Sequence, residues 1–185
     1  MTSRRELTQT NDRRGIDLLR SLLAAELLTS SNTSISSQQR EIWMVSPWIT
    51  DFVILDNRFG AWGCLNVYWA KREIYFSELM GQFVLTGGTL NVVMNNDAMN
   101  KPFGDYMRRL SINNDIKGNA RIGIIDNKNF HPKGMLSNNF FLRGSRNTTK
   151  QGFMFNQELV ELDVDKNSIS DARVKFTGSY GDCLS

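Results

Sequence analysis

Residues 131–158 read HPKGMLSNNFFLRGSRNTTKQGFMFNQE. Apolar residues stand on either side of Ser137-Asn138-Asn139, a turn composition whose side chains hydrogen-bond the local backbone. The pattern predicts a β-hairpin with strands over 130–136 and 140–143. In such a strand His131 and Lys133 are two positions apart and project from one face. Gly144-Ser145-Arg146-Asn147-Thr148 follows the second strand and leads into one or two helical turns expected over 148–155. A glycine there admits close backbone approach, and free N–H groups at a helix start favour anions. Glu158 then opens a strand of alternating character over 158–164.

Upstream, Ile16, Leu19, Leu22, Leu23 and Leu27 recur at helical spacing and predict an amphipathic, core- or dimer-packing helix over 16–28. The Ser-rich run 30–39 reads as a connector. A buried strand is expected over 41–49, and 51–69 reads as mostly irregular. A helix over 70–85 follows, capped at Gly87-Gly88 and leading into a strand over 89–94. A polar loop over 95–101, a short helix over 103–110, a strand over 120–125 and a helix over 167–176 complete the pattern, with a frayed tail over 178–185. Trp43 and Trp48, in or beside a predicted strand, are expected to pack in the core. Helices and strands alternate throughout. The expected class is α/β (an α+β sandwich), with a mixed, mostly parallel sheet flanked by helices, in one domain spanning 1–185.

Composition narrows the chemistry. With 41% hydrophobic and 22% charged residues the chain can build a core and is not expected to be disordered. A single histidine excludes His-rich metal sites within one chain, and no metal or cofactor is expected. Cys64 and Cys183 form no C-x-x-C pair, which suits a reducing cytoplasm. The first apolar stretch is interrupted by Asp17, Arg20 and Glu26, so neither a signal-peptide core nor a membrane span is expected. Residues 119–150 carry six cations against Asp126 alone, a surplus of five where the whole chain has a net charge of +3. The basicity is therefore local, as a polyanionic substrate requires.

The only histidine, His131, lies inside that basic segment. An imidazole beside a fixed ammonium suits phosphate chemistry. The lysine neutralises non-bridging oxygens, and the imidazole attacks phosphorus or protonates a leaving oxygen.

The whole run, His131-x-Lys133, Gly144-Ser145-x-Asn147 and Asn156-x-Glu158, resembles the phospholipase D superfamily. That family's signature is H-x-K-x4-D, then G-S-x-N, then a Glu. The resemblance implies that His131 is the nucleophile forming a phosphohistidine and that Lys133 and Asn147 bind the phosphate. Ser145 would support that phosphate, Glu158 would orient the imidazole, and Gly144 and Asn156 would be supporting positions. The chain departs from the signature at Asn138, which stands where the family has Asp. An Asn keeps hydrogen bonding but not charge, so a weakened site is implied. Family members use two such histidines, and one per chain implies a homodimer with a composite active centre.

The expected function is a metal-independent phosphodiesterase or endonuclease acting on nucleic acid, DNA first. The alternative is a catalytically weakened DNA-binding subunit, working with other proteins of a DNA-modification or restriction (defence) system. A phospholipase is less favoured, because no export signal, lipid anchor or exposed apolar segment is evident and no membrane partner is expected.

Overall fold

The computed structural model describes residues 4–8, 14–29, 39–114, 116, 118–154 and 159–184. The expected connector 30–39 falls outside these residues except for Gln39. Nine strands and five helices are defined among them: β1 (Arg4–Thr8), α1 (Arg14–Leu28), β2 (Glu41–Val45), β3 (Val53–Asp56), β4 (Glu73–Tyr75), α2 (Phe76–Leu85), β5 (Thr89–Asn95), α3 (Lys101–Asn113), β6 (Ala120–Ile125), β7 (Gly134–Leu136), β8 (Phe141–Gly144), α4 (Lys150–Met154), β9 (Leu159–Asp163) and α5 (Lys166–Tyr180).

In β2, Ile42 and Met44 point into one hydrophobic cluster, and Trp43 and Val45 into another. A strand buried on both faces must lie inside a sheet covered on both sides. The seven-stranded sheet has the order β1-β9-β8-β7-β2-β5-β6. The β2–β5 and β5–β6 ladders are parallel, and the other four are antiparallel. Strands β1, β2, β5, β6 and β8 thus point one way, and β7 and β9 the other. The expected mixed α/β sheet with flanking helices is what forms, with most of its strands pointing the same way.

One face is covered by α1–α4. Leu19 and Leu23 of α1, Phe83 of α2, Phe103 of α3 and Phe153 of α4 join Met44, Val92, Ile122 and Leu142 of the sheet. The other face is covered by α5, whose Ile169 and Ala172 pack with Trp43, Val93 and Phe141. Full burial of each large apolar side chain contributes roughly 1.5–3 kcal/mol, so both layers are well supported. Trp43 meets Phe176 edge-on at 6.2 Å, which bears out its expected core role.

Residues 51–69 are mostly irregular as expected, apart from the short strand β3, which pairs with β4 with a register shift between Val53 and Leu55. Two expectations need correction. The helix expected over 70–85 begins only at Phe76, because β4 occupies the residues just before it. Residues 179–184 do not fray in this structure: α5 runs to Tyr180, and a 3-10 turn over Gly181–Cys183 follows. That turn packs on β6, where any Cβ on Gly123 would collide with Cys183.

Candidate phosphate site

The hairpin register fixes the site. Gly134 pairs with Arg143 and Leu136 with Phe141, so the residues before β7 and those after β8 meet at one end. Val45, the last residue of β2, also pairs with Gly134. Lys133, Gly144, Arg146 and Thr148 therefore gather beside the carboxyl end of β2, where open α/β sheets place their ligands. They line a narrow cavity of about 20 Å³ together with Met135, Leu142, Phe153 and Val160. This is room for about one water-sized group.

His131, Pro132 and Lys133 are not in the hairpin strand, contrary to the sequence reading. β7 starts at Gly134, and the three preceding residues form a loop. The physical reason is Pro132, which has no N–H to give a ladder. His131 is exposed, and Lys133 Nζ donates to the backbone oxygen of His131 at 2.6 Å. That bond folds the ammonium back over the loop and ties the two candidate residues together. The contact is to the His131 backbone, and the imidazole does not line the cavity that Lys133 enters.

Gly144 ends β8 at φ +154°, and any Cβ there would collide with the Leu159 carbonyl oxygen of β9. The chain needs glycine here because two backbones approach too closely for a side chain. Ser145 is exposed, and its N–H donates to that same Leu159 oxygen at 3.2 Å. Asn147 and Thr148 dock on the loop after β2. The Ser46 hydroxyl donates its one proton to the Trp48 oxygen at 2.8 Å, with Asn147 Oδ1 sharing it more weakly at 3.4 Å, and it accepts the Thr148 N–H at 3.1 Å. Thr50 N–H donates to the Thr148 oxygen, closing a bridge between Ile49 and Thr148. Asn156 and Glu158 lie outside the described residues.

Asn138 is not part of this cluster. It sits in the hairpin turn at the opposite end of β7, roughly 10–15 Å away by strand rise. Its Oδ1 accepts the Glu41 N–H at 3.1 Å and an Arg173 N–H at 3.3 Å, and its Nδ2 donates to the Gln39 oxygen at 3.2 Å. Glu26, a buried acid on α1, grips the same turn from the other face, accepting from Ser137 Oγ at 2.6 Å and Asn139 Nδ2 at 3.1 Å. Asn138 is therefore a hairpin anchor whose amide supplies both the acceptor and the donor used here, which an ionised Asp could not. The expected result of Asn138→Ala is a loss of about 1–3 kcal/mol of stability in urea unfolding. Any activity of the protein that remains folded should change less than about threefold, as a group this far from phosphate acts only through stability. A large loss of turnover with unchanged stability would contradict this placement.

Two residues that the sequence reading did not place at the site stand out. Arg146, counted there only as part of a charge surplus, is 7% exposed and lies over the Phe153 ring at 5.1 Å. Ser46 is fully buried and connects β2 to the Gly144–Thr148 segment. Their partners lie far away in sequence, so no local pattern marks them, although burial of an arginine in a lined cavity is a signal in three dimensions. Beside them Arg143 forms a two-pronged pair with Glu161 at 2.8 and 3.0 Å, and that hydrogen bonding raises its already high pKa. Asp97, at the end of β5, is held below the usual carboxylate range first by the Met99 N–H and then by the Trp48 indole. Among the described residues no group of three or more His, Cys, Asp or Glu side chains is disposed to hold a metal ion. No helix among them is long and apolar enough to cross a membrane.

No family model and no curated protein matches the chain. Solved structures do. NucT from Helicobacter pylori aligns over all of this chain and 99% of its own, with a TM-score of 0.60 and 14% identity. Nuc from Salmonella typhimurium, a phospholipase D family member, aligns over 90% of this chain and 88% of its own, with a TM-score of 0.54 and 12% identity. TrmBL2, an archaeal chromatin protein described with a novel mode of DNA binding, aligns over 97% of this chain and 52% of its own, with a TM-score of 0.55 and 10% identity. The chain thus has the phospholipase D-like fold that its motif spacing implied.

Proposed function

We propose that this chain is a metal-independent phosphodiesterase of the phospholipase D superfamily, acting on nucleic acid as one domain and in a homodimer. The supporting observation is the convergence of Lys133 with Gly144, Arg146 and Thr148 on one cavity at the carboxyl end of β2, within that fold. Lys133, Ser145 and Asn147 bind the non-bridging phosphate oxygens, and buried Arg146 adds positive charge behind them. A ring nitrogen of His131 attacks phosphorus and forms a P–N bond while the P–O bond to the leaving group breaks. His131 of the partner subunit gives its proton to the departing oxygen. Water then attacks the phosphohistidine, passes a proton to that second imidazole, and frees His131. Glu158 holds the nucleophilic imidazole in its working tautomer, and Asn156 supports it.

A two-fold axis beside the exposed His131 brings two copies together, which a chain with a single histidine requires. The archaeal chromatin protein of the same fold supports a second reading, in which the chain binds DNA without cutting it. Incubation with plasmid and single-stranded DNA in excess EDTA separates the two. Cleavage is expected. Binding without cleavage would move the assignment to the second reading, and the absence of both would overturn the two together.

A further inference from the structure

The sheet face that carries Met94 and Ile122 is covered by α2 and α3, yet it opens at its carboxyl end. Met94 and Ile122 are buried, whereas Ile124, two residues on and facing the same way, is 40% exposed. The uncovered floor is part of a cleft of about 360 Å³ between the ends of β5 and β6 and the first turns of α3. Its walls carry Asn95, Asn96, Asp97, Lys101, Asp105 and Arg108, with Arg108 paired to Asp105 at 3.4 Å on the exposed rim. A volume of that size is at the lower end of small-ligand sites, roughly 300–1,000 Å³.

The cleft adjoins the phosphate site through a short chain of contacts. Asp97, on the cleft wall, accepts the Trp48 indole N–H at 3.1 Å. Trp48 belongs to the loop whose Ser46 holds Asn147 and Thr148. Asn100 fixes that loop from behind, taking the Ile49 N–H at 2.7 Å and donating to the Pro47 oxygen at 2.9 Å. The cavity lies along β7 and β8, and β7 is two strand spacings, about 10 Å, from β5, so a strand whose phosphate binds beside β7 crosses over the end of β2 before it reaches the cleft.

The geometry points to a subsite for one unpaired nucleobase of the substrate strand, an inference that rests on the phosphodiesterase reading above. The exposed Ile124, backed by buried Met94, offers an apolar surface to a base face. The Asn96 amide offers a donor and an acceptor to a base edge, and the Arg108 guanidinium can stack on a base or meet a flanking phosphate. A base must leave a duplex to enter such a cleft.

The test compares binding of a single-stranded oligodeoxynucleotide with that of an abasic phosphodiester strand of the same length, by fluorescence anisotropy. Asn96 and Arg108 are exposed, so alanine substitutions leave the core intact. The wild type is expected to bind the base-containing strand about tenfold tighter, since stacking adds affinity that an abasic strand lacks. Asn96→Ala combined with Arg108→Ala is expected to bring that ratio close to one. Equal wild-type affinity for the two strands, or a ratio untouched by the double variant, would overturn the subsite and leave the cleavage reading standing. Binding of neither strand would overturn both.

Discussion

Substitution of Gly144 by alanine is expected to destabilise the protein by at least about 3 kcal/mol, through backbone strain and steric overlap together. The residue sits at φ +154°, where side chains are rarely tolerated, and its missing Cβ faces the Leu159 carbonyl of the neighbouring strand. That carbonyl cannot retreat freely, because it accepts the Ser145 N–H, and Val160 next to it is paired with Gly144 in the β8–β9 ladder. Relief would require the two strands to part at the end where Lys133 and Arg146 converge, so stability and phosphate binding should fall together. Urea unfolding and oligonucleotide binding measure the two effects. A variant within about 0.5 kcal/mol of wild type would show that the Gly144 backbone is not confined as described.

The second large effect concerns His131. Removing the nucleophile by His131→Ala is expected to lower cleavage on the order of 10³-fold or more, with DNA binding retained. The retained binding follows from the separation of roles, since the cations around the cavity do not depend on the imidazole. Subunit mixing sharpens the result. If each centre needs both copies of His131, a dimer with one altered subunit is inactive. An equimolar, fully exchanged mixture of wild type and His131→Ala then keeps about a quarter of the wild-type activity, against about a half for independent subunits. Activity near a half after demonstrated exchange would overturn the composite centre while leaving His131 essential.

The fold was legible where one residue pattern ran long enough to be read. The α1 stripe and the Gly87-Gly88 cap form where the sequence places them, while β2 and the β7–β8 hairpin around Ser137-Asn138-Asn139 form within shorter bounds, β2 ending at Val45 and β7 starting at Gly134. Strands β3 and β4 escaped because they have four and three residues, too few for a period-two pattern to stand out. The tail escaped for another reason. Its order comes from packing of Cys183 and Leu184 against a strand some sixty residues earlier, which no local propensity encodes.

The site was legible in its parts but not in its construction. Motif spacing singled out Lys133, Gly144, Ser145 and Asn147, and the hairpin register brings the segments that carry them together. It could not show that Pro132 expels His131 from the strand, or that Ser46 positions Asn147 across a hundred residues. Asn138 illustrates the converse. A motif position suggested a place at the site, whereas its partners Gln39, Glu41 and Arg173 put it at the far turn. Contacts between distant segments decide such cases, and they exist only once the sheet is assembled.

The phosphohistidine is the centre of the mechanism and can be sought directly. Wild-type protein would be mixed with DNA labelled at its internal phosphates in excess EDTA, quenched with denaturant during turnover, and digested for peptide mapping. Label on the peptide that contains His131, stable in base, lost in acid and absent from His131→Ala, is the predicted result. Cleavage at full rate with no labelled protein at any quench time, or label that persists in His131→Ala, would contradict the covalent mechanism.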